Sequence, residues 1–355
     1  MRRVICFILL GLGVFAIALA TMLRFYAYPM LAKVPLDQRT SVVATGNGIT
    51  SLVIRRGADG VPVPQILHNL DVTATTQVTG DLSQPEVRAG GDVAVWIETQ
   101  AAVDGDGNLL NAFEREVCID RHTSMAVRPC ETQYIKTGEE RESGVRDQIQ
   151  QPGLNFKFPF QTKQQNYQMY DLNVRKPVEA RFAGQDRISG IDVYRFVMDV
   201  PFTKIDEETV PGSLIGSPQP SVRTDLYYQG VRTMWVQPDT GMLVHVQQEQ
   251  RKELRDPSRG SRTVVLNGKF SLDEVSLSAN VAAVNDAVAR LSLLTTGPVW
   301  LWVIGGALLV AGVVLMVIRP RGKPARHGPE WPDEDSDGDS AVAGFNRSRA
   351  VSGAP

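Results

Sequence analysis

Two long stretches without a single charge constrain this chain more than anything else in it. Residues 4–23 read VICFILLGLGVFAIALATML, and residues 297–318 read GPVWLWVIGGALLVAGVVLMVI. A hydrocarbon core about 30 Å thick needs roughly 20 helical residues at a rise of about 1.5 Å each. Both stretches meet that length. A helix in a soluble core normally carries polar residues on one face, and neither stretch does. The chain therefore reads as one held in a membrane at both ends, with everything between them on one side.

The first stretch has a second reading. Arg2 and Arg3, an apolar run and then Ala18-Leu19-Ala20 resemble a cleaved signal peptide. The run is longer than a usual signal core, and no polar segment precedes the cleavage point, which favours an uncleaved anchor. Either way the middle of the chain leaves the cytoplasm. The basic residues set the orientation. Arg2 and Arg3 precede the first span, and Arg319, Arg321, Lys323 and Arg326 follow the second. Positive charge stays inside, so both termini are expected in the cytoplasm of a two-pass plasma-membrane protein. Trp300 and Trp302 mark the outer interface, and Arg2, Arg3, Arg319 and Arg321 the inner one.

The expected organisation is a cytoplasmic start (1–3), a span (4–23), an extracytoplasmic β-rich domain (24–275), an amphipathic stalk helix (276–296), a second span (297–318) and a tail (319–355). The tail is rich in Pro, Gly, Ser, Arg and Asp and is expected to be disordered. Its acidic run, Asp333 to Asp339, reads as solvated charge. In the stalk, Leu277, Val281, Val284, Val288 and Leu291 recur at steps of four and three, which makes one apolar face.

From Thr40 to Leu272 the period is that of strands. Asp92 to Ala102 alternates around Val93, Val95 and Ile97, and Asp192 to Val200 does the same. Four more strands follow: 224–228, 231–236, 242–249 and 263–270. The turns between them are expected at Gln229-Gly230, at Pro238 to Gly241 and at Asp256 to Gly260. No βαβ alternation appears. The fold class expected is mainly β, an antiparallel curved sheet or sandwich carried on two terminal transmembrane helices.

The sequence offers no catalytic, cofactor-binding or metal-ligating set. Asp104, Asp106 and Asn108 imitate the start of a calcium loop, but Leu109 and Arg115 stand where that loop needs Gly and Glu. A hairpin tip is the simpler reading. His68, His122, His245 and His327 are scattered, and no nucleophile or phosphate-binding motif appears. The chain therefore reads as a non-enzyme. A formal net charge of −2 argues against nucleic acid as a partner. Cys6 lies in the first span as an apolar filler or a lipidation site. Cys118 and Cys130 sit in the outer domain, where a disulfide between them is expected to stabilise by about 3 kcal/mol; two buried thiols are the alternative.

Residues 153–160 (GLNFKFPF) stand out as an aromatic alternation with one lysine and a closing proline. Two readings are open. Phe156, Lys157, Phe158 and Phe160, with Tyr167 and Tyr170, line a ligand groove. Alternatively the segment is an edge strand with its aromatics in the core and Pro159 ending the pairing.

Several motifs in order resemble an actinobacterial envelope family, the porin-A-like proteins. They are Tyr28 to Leu36, Cys118 to Thr123, Gly153 to Phe160 with Tyr167 to Asp171, Ala180 to Gly184, Gly190 to Phe196 and Trp235 to Gly241, closed by the terminal span. The resemblance implies an envelope location and two spans, and carries no catalytic residues. A pore is what the family's name implies. The spans argue against it, since they lack polar residues to line a water path. Their small residues, Gly11, Gly13, Ala18 and Ala20 against Gly305, Gly306 and Gly312, suit close helix packing. The expected role is binding or organising envelope components, with lipid or glycolipid as the ligand, membrane lipids and other envelope proteins as partners, and no cofactor. A channel and a structural partner-binding module are the alternatives.

Overall fold

The computed structural model describes residues 2–56, 62–137 and 146–318. The tail with its acidic run, Arg319, Arg321 and His327, and the side chains of Arg2 and Arg3, lie outside the described residues.

The first apolar stretch forms a helix, Arg2–Met22, prolonged by a wider turn at Leu23–Ala27 and a last turn at Tyr28–Leu31. The second forms Gly297–Val317. Both are long and apolar enough to cross a membrane. They run antiparallel against each other. Cys6, Gly13, Ala16 and Ala20 are buried on the first, and Pro298, Gly305 and Gly312 on the second. Cys6, Gly13 and Ala20, like Pro298, Gly305 and Gly312, recur every seven residues, the period of a seam between two supercoiled helices, and Ala16 adds a fourth contact on the first. At Gly305 the backbones nearly touch: a Cβ there would sit 2.9 Å from the Gly13 carbonyl oxygen. Gly11 and Gly306 face open space instead, and Ala18 is exposed. Only part of the small-residue set therefore makes the seam.

Among the described residues one antiparallel sheet of 11 strands lies between the helices, in the order β5-β4-β3-β2-β1-β11-β10-β9-β8-β7-β6. The strands are β1 (Arg39–Arg56), β2 (Pro62–Gly80), β3 (Val93–Asp104), β4 (Leu109–Asp120), β5 (Tyr134–Thr137), β6 (Tyr167–Asp171), β7 (Lys176–Ile188), β8 (Ile191–Pro211), β9 (Ser221–Val236), β10 (Leu243–Arg255) and β11 (Arg262–Leu272). The sheet curves into a half-barrel, so the class read from the alternation holds. Two meanders, β1–β5 and β6–β11, join where the first strand pairs with the last. Both helices therefore leave from the middle of the sheet. Isolated bridges, Met125 to Leu154 and Leu154 to Met169, tie the two edges together.

The turn expected at Gln229-Gly230 does not exist. Strand β9 runs straight through, with Gly230 opposite Val200 and Gln250. Glycine is needed there because a Cβ would lie 2.1 Å from the Tyr228 hydroxyl, which folds back over it. The run at Asp104 is a hairpin tip: its carboxylate accepts from the Asp106 and Asn108 amides and the Asn108 side chain, at 2.8–3.1 Å.

The stalk is a helix, Glu274–Thr295, whose start is capped by Asp273 accepting from the Ser276 amide at 2.7 Å. The Ser276 hydroxyl in turn accepts from the Val43 amide at 2.7 Å, which stitches the helix to β1. Leu277, Val281, Val284 and Val288 pack on Val193, Val244 and Trp235. Cys118 and Cys130 are joined as a disulfide.

Candidate functional site: a groove in the half-barrel

A curved sheet must bury its inner face or leave it hollow. Here the hollow persists as a groove of about 1010 Å³. Binding cavities usually span roughly 300–1,000 Å³, so this one stands at the upper end. Leu243 and Lys252, nine residues apart on β10, both line it. At a strand rise of about 3.3 Å per residue it therefore runs about 30 Å.

Strand alternation decides what faces inward. On β2 the inward row is Val72, Ala74, Thr76 and Val78; on β10 it is Val246, Gln248, Gln250 and Lys252. The wall is thus mixed, apolar in places and polar in others. Several of its polar groups are organised in pairs. Arg115 donates to Glu98 at 2.5 Å and to Asn155 at 2.7 Å, and Arg232 donates to Gln248 at 2.9 Å. Ala44, Ala74 and Ala102 stand opposite one another on β1, β2 and β3. Three methyl groups at one level keep the wall thin and the lumen open.

The groove reaches the end of the sheet that carries the helices. Leu31, Lys33 and Pro35, which directly follow the first helix, line it, as do Ala287, Arg290 and Leu291 of the stalk. The segment after the first helix is fixed there by the Val34 amide donating to Arg121 at 2.8 Å and the Trp96 indole donating to Pro35 at 3.0 Å. At the far end a short turn, Gly212–Ile215, packs its Ile215 among Val210, Val222, Leu254 and Val265.

The segment 153–160 divides between the two readings, and it is not a strand. Phe156, Lys157, Phe160 and Tyr170 line the groove. Phe158 and Tyr167, expected there as well, belong to the core. Phe158 is fully buried, stacked on Phe196 at 4.4 Å, with Tyr167 edge-on at 5.3 Å. The cause is local backbone. The Phe158 amide donates to Gly241 and the Leu154 amide to Gln168. The segment is held between the 237–242 turn and β6, and successive side chains turn to different sides.

Lys157 is the unusual member. It is 8% exposed, and among the described residues its Nζ has no hydrogen-bond partner. It lies 3.6 Å from the centre of the Phe160 ring, and burial pushes its ammonium down to about 7. Tyr170 presents a second polar atom without a partner among the described residues, its hydroxyl, and burial raises that group. Its backbone amide donates to Leu154 at 2.8 Å, three residues before Lys157. On the opposite wall Lys252 is pushed down by its enclosure, against the pull of Glu208 and Asp171. The three-alanine row and Lys252 carry no signal in the sequence, because only the strand register brings them to the groove.

The remaining candidates do not converge. His122 pairs with Asp92 at 3.1 Å, His245 with Ser271 at 3.2 Å and His68 with Thr50 at 3.1 Å, at separate places. Glu86 lies beside the two cysteines, but their sulfurs are bonded to each other. On the helix pair, the Trp302 indole donates to Thr21 at 3.3 Å and its ring meets Phe25 at 6.3 Å, while Trp300 is exposed.

Comparison with known proteins gives one family. A family model described as Porin PorA matches residues 5–314. A protein of Corynebacterium amycolatum, named Porin PorA, is 24% identical over 169 residues, 40% of this chain and 44% of that protein. One of Corynebacterium resistens, also named Porin PorA, is 24% identical over 286 residues, 60% of this chain and 68% of that protein. The match to the first thus spans less than half of its length.

Proposed function

The chain belongs to the Porin PorA family, and from that premise we propose that it is a membrane-tethered binding protein whose half-barrel holds an amphipathic envelope molecule, a lipid or glycolipid, in its groove. One observation carries this reading: the groove of about 1010 Å³ has a mixed apolar and polar lining and opens beside the two apolar helices. A ligand leaving a bilayer at that end meets the lumen without crossing bulk water. The two helices act as anchors with both termini in the cytoplasm, and the sheet stands outside it. The reading makes the chain a carrier or organiser rather than an enzyme.

The name shared by the relatives favours a second reading, a conducting pore. Two features of the molecule weigh against conduction by one copy. The helix pair is packed backbone to backbone at Gly13 and Gly305, which leaves no water path along the seam. The outer face of the sheet presents Thr73, Gln77, Glu249 and Arg251 to solvent, whereas a barrel wall in lipid needs an apolar band.

The test uses the full chain purified in a mild non-ionic detergent. Mass spectrometry of extracted material is expected to find lipid retained by the wild type and lost from Ala102→Trp, which fills the lumen. Absence of retained lipid, together with steady single-channel conductance in planar bilayers, would sink the binding reading and install the pore.

A further inference from the structure

We propose that Lys157 is the headgroup subsite of the groove, and that the ligand it receives is a single-chain amphiphile ending in an acidic group, a carboxylate or a phosphate. The inference rests on the binding function proposed above and names the chemistry of its ligand.

The argument starts from what surrounds the other cations of the same lining. Lys33 is paired with Asp92 at 2.6 Å, Arg115 with Glu98 at 2.5 Å, Arg175 with Asp147, and Arg290 with Asp286 at 2.7 Å. These four have a counter-charge. Arg232 donates to the neutral Gln248. Lys252, enclosed on the opposite wall, is less buried at its own side chain and is drawn on by Glu208 and Asp171. Lys157 is more than nine-tenths buried, lines the lumen, and among the described residues has no carboxylate or carbonyl accepting from its Nζ. A buried ammonium left without an acceptor costs free energy, because it has lost its water and gained no replacement. That cost is offset when an anion enters and takes the three N–H donors.

The wall around it fits the rest of such a molecule. Phe160 stacks against the ammonium at 3.6 Å, which holds the side chain in place while leaving its donors to point elsewhere. Phe156 and Trp96 pack against each other at 5.4 Å in the same lining, and the Arg115 guanidinium that lies over the Phe156 ring at 4.8 Å is already paired with Glu98. The buried Tyr170 hydroxyl, also without a partner among the described residues, supplies a further donor from the same lining. Position agrees with chemistry. Phe156 and Phe160 pack on the cluster of Val34, Ala94, Trp96 and Ile119, so the ammonium belongs to the end of the groove beside the helices.

Three amphiphiles with one chain length separate the sources of charge: hexadecanoate, hexadecyl phosphate and hexadecanol. Binding to the full chain in non-ionic detergent is measured by displacement of a fluorescent fatty alcohol. Wild type is expected to bind one or both acids about tenfold or more tighter than the alcohol, the gain of one charge-assisted contact. Preference for the carboxylate or for the phosphate identifies the headgroup. Lys157→Met is expected to bind the alcohol as wild type does and to lose the preference for acid, while Lys157→Arg keeps it. A wild type that binds all three equally overturns the headgroup subsite and leaves the groove function standing. Binding of acid by Lys157→Met as tightly as by wild type overturns it too. A wild type that takes up none of the three removes both readings. Melting of Lys157→Met at or above the wild-type temperature shows that its result is not a failure to fold.

Discussion

The helix pair and the half-barrel obey opposite packing rules. In the first, Cys6, Gly13 and Ala20 meet Pro298, Gly305 and Gly312 in a seam closed to the backbone. Nothing fits between. In the second, Ala44, Ala74 and Ala102 use the same kind of small residue to keep a wall thin and a lumen of about 1010 Å³ open. Small side chains close one space and open the other, and the difference is what stands opposite them. A glycine facing a glycine lets two helices touch. An alanine on a concave sheet faces a void, because curvature takes the far wall out of reach. The solid part leaves no room between its elements, and the hollow part does.

The largest expected effect lies in the hollow part and tests whether stability has been given up there for binding. Burial pushes the Lys157 ammonium in the fold down to about 7 from its ordinary value of 10.5. Its folded value is depressed, so the unfolded chain binds more protons between those limits, and stability rises with pH from about 7 to about 10.5. Below about 7 the ammonium is charged in both states and its burial cost is at its full value. A tenfold change in proton affinity corresponds to about 1.4 kcal/mol, which sets a ceiling of about 5 kcal/mol. Lys157→Met is therefore expected to raise the melting point of the ligand-free chain, most at pH 7 and below, with the gain fading as pH approaches about 10.5. Thermal unfolding of both proteins at a series of pH values measures it. A variant less stable than wild type at pH 6 would make Lys157 a structural residue.

The middle effect lies in the solid part and uses two neighbouring glycines as each other's control. At Gly305 a Cβ would meet the Gly13 carbonyl at 2.9 Å, and at Gly306 it would meet nothing within 4 Å. Gly305→Leu is expected to lower stability by about 1–3 kcal/mol, the usual cost of overpacking. It should also loosen the contact of Trp302 with Thr21 and Phe25, seen as a shift in tryptophan emission. Gly306→Leu should do neither. Equal behaviour of the two would mean that the helices do not pair through this seam.

How far this contrast could be read in the sequence depends on how local its causes are. The helices were legible because absence of charge over a span's length is a property of consecutive residues. The strands of β3, β8, β10 and β11 were legible because alternation is too. What escaped depends on partners far away in the chain. The pairing of β1 with β11 joins residues more than 200 positions apart, and no turn signal marks it. Gln229-Gly230 resembles a turn, yet Tyr228 needs that glycine for its own hydroxyl inside an unbroken strand. The aromatic segment at 153–160 was visible as unusual. Its division into core (Phe158) and groove (Phe156, Lys157, Phe160) was not, since hydrogen bonds to Gly241 and Gln168 set which way each side chain turns.

The smallest expected effect decides what surrounds the half-barrel, and through that whether the family's name describes this molecule's sheet. Gln77 is exposed on β2, between the inward-facing Thr76 and Val78, and its strand neighbours are Ser41 and Thr99. A surface position of this kind in water tolerates substitution within about 0.5 kcal/mol. The same position on the lipid face of a barrel would cost about 2–4 kcal/mol for a lysine near the bilayer midplane. Gln77→Lys, and Thr73→Lys four residues away on the same face, are therefore expected to leave the unfolding midpoint in lipid vesicles almost unchanged. A drop of several kcal/mol at both sites would place the sheet in the membrane and reverse the contrast, making the half-barrel the spanning element. A null result with Gly305→Leu still destabilising would leave the two helices as the parts that meet lipid, and the groove as a chamber held in water beside them.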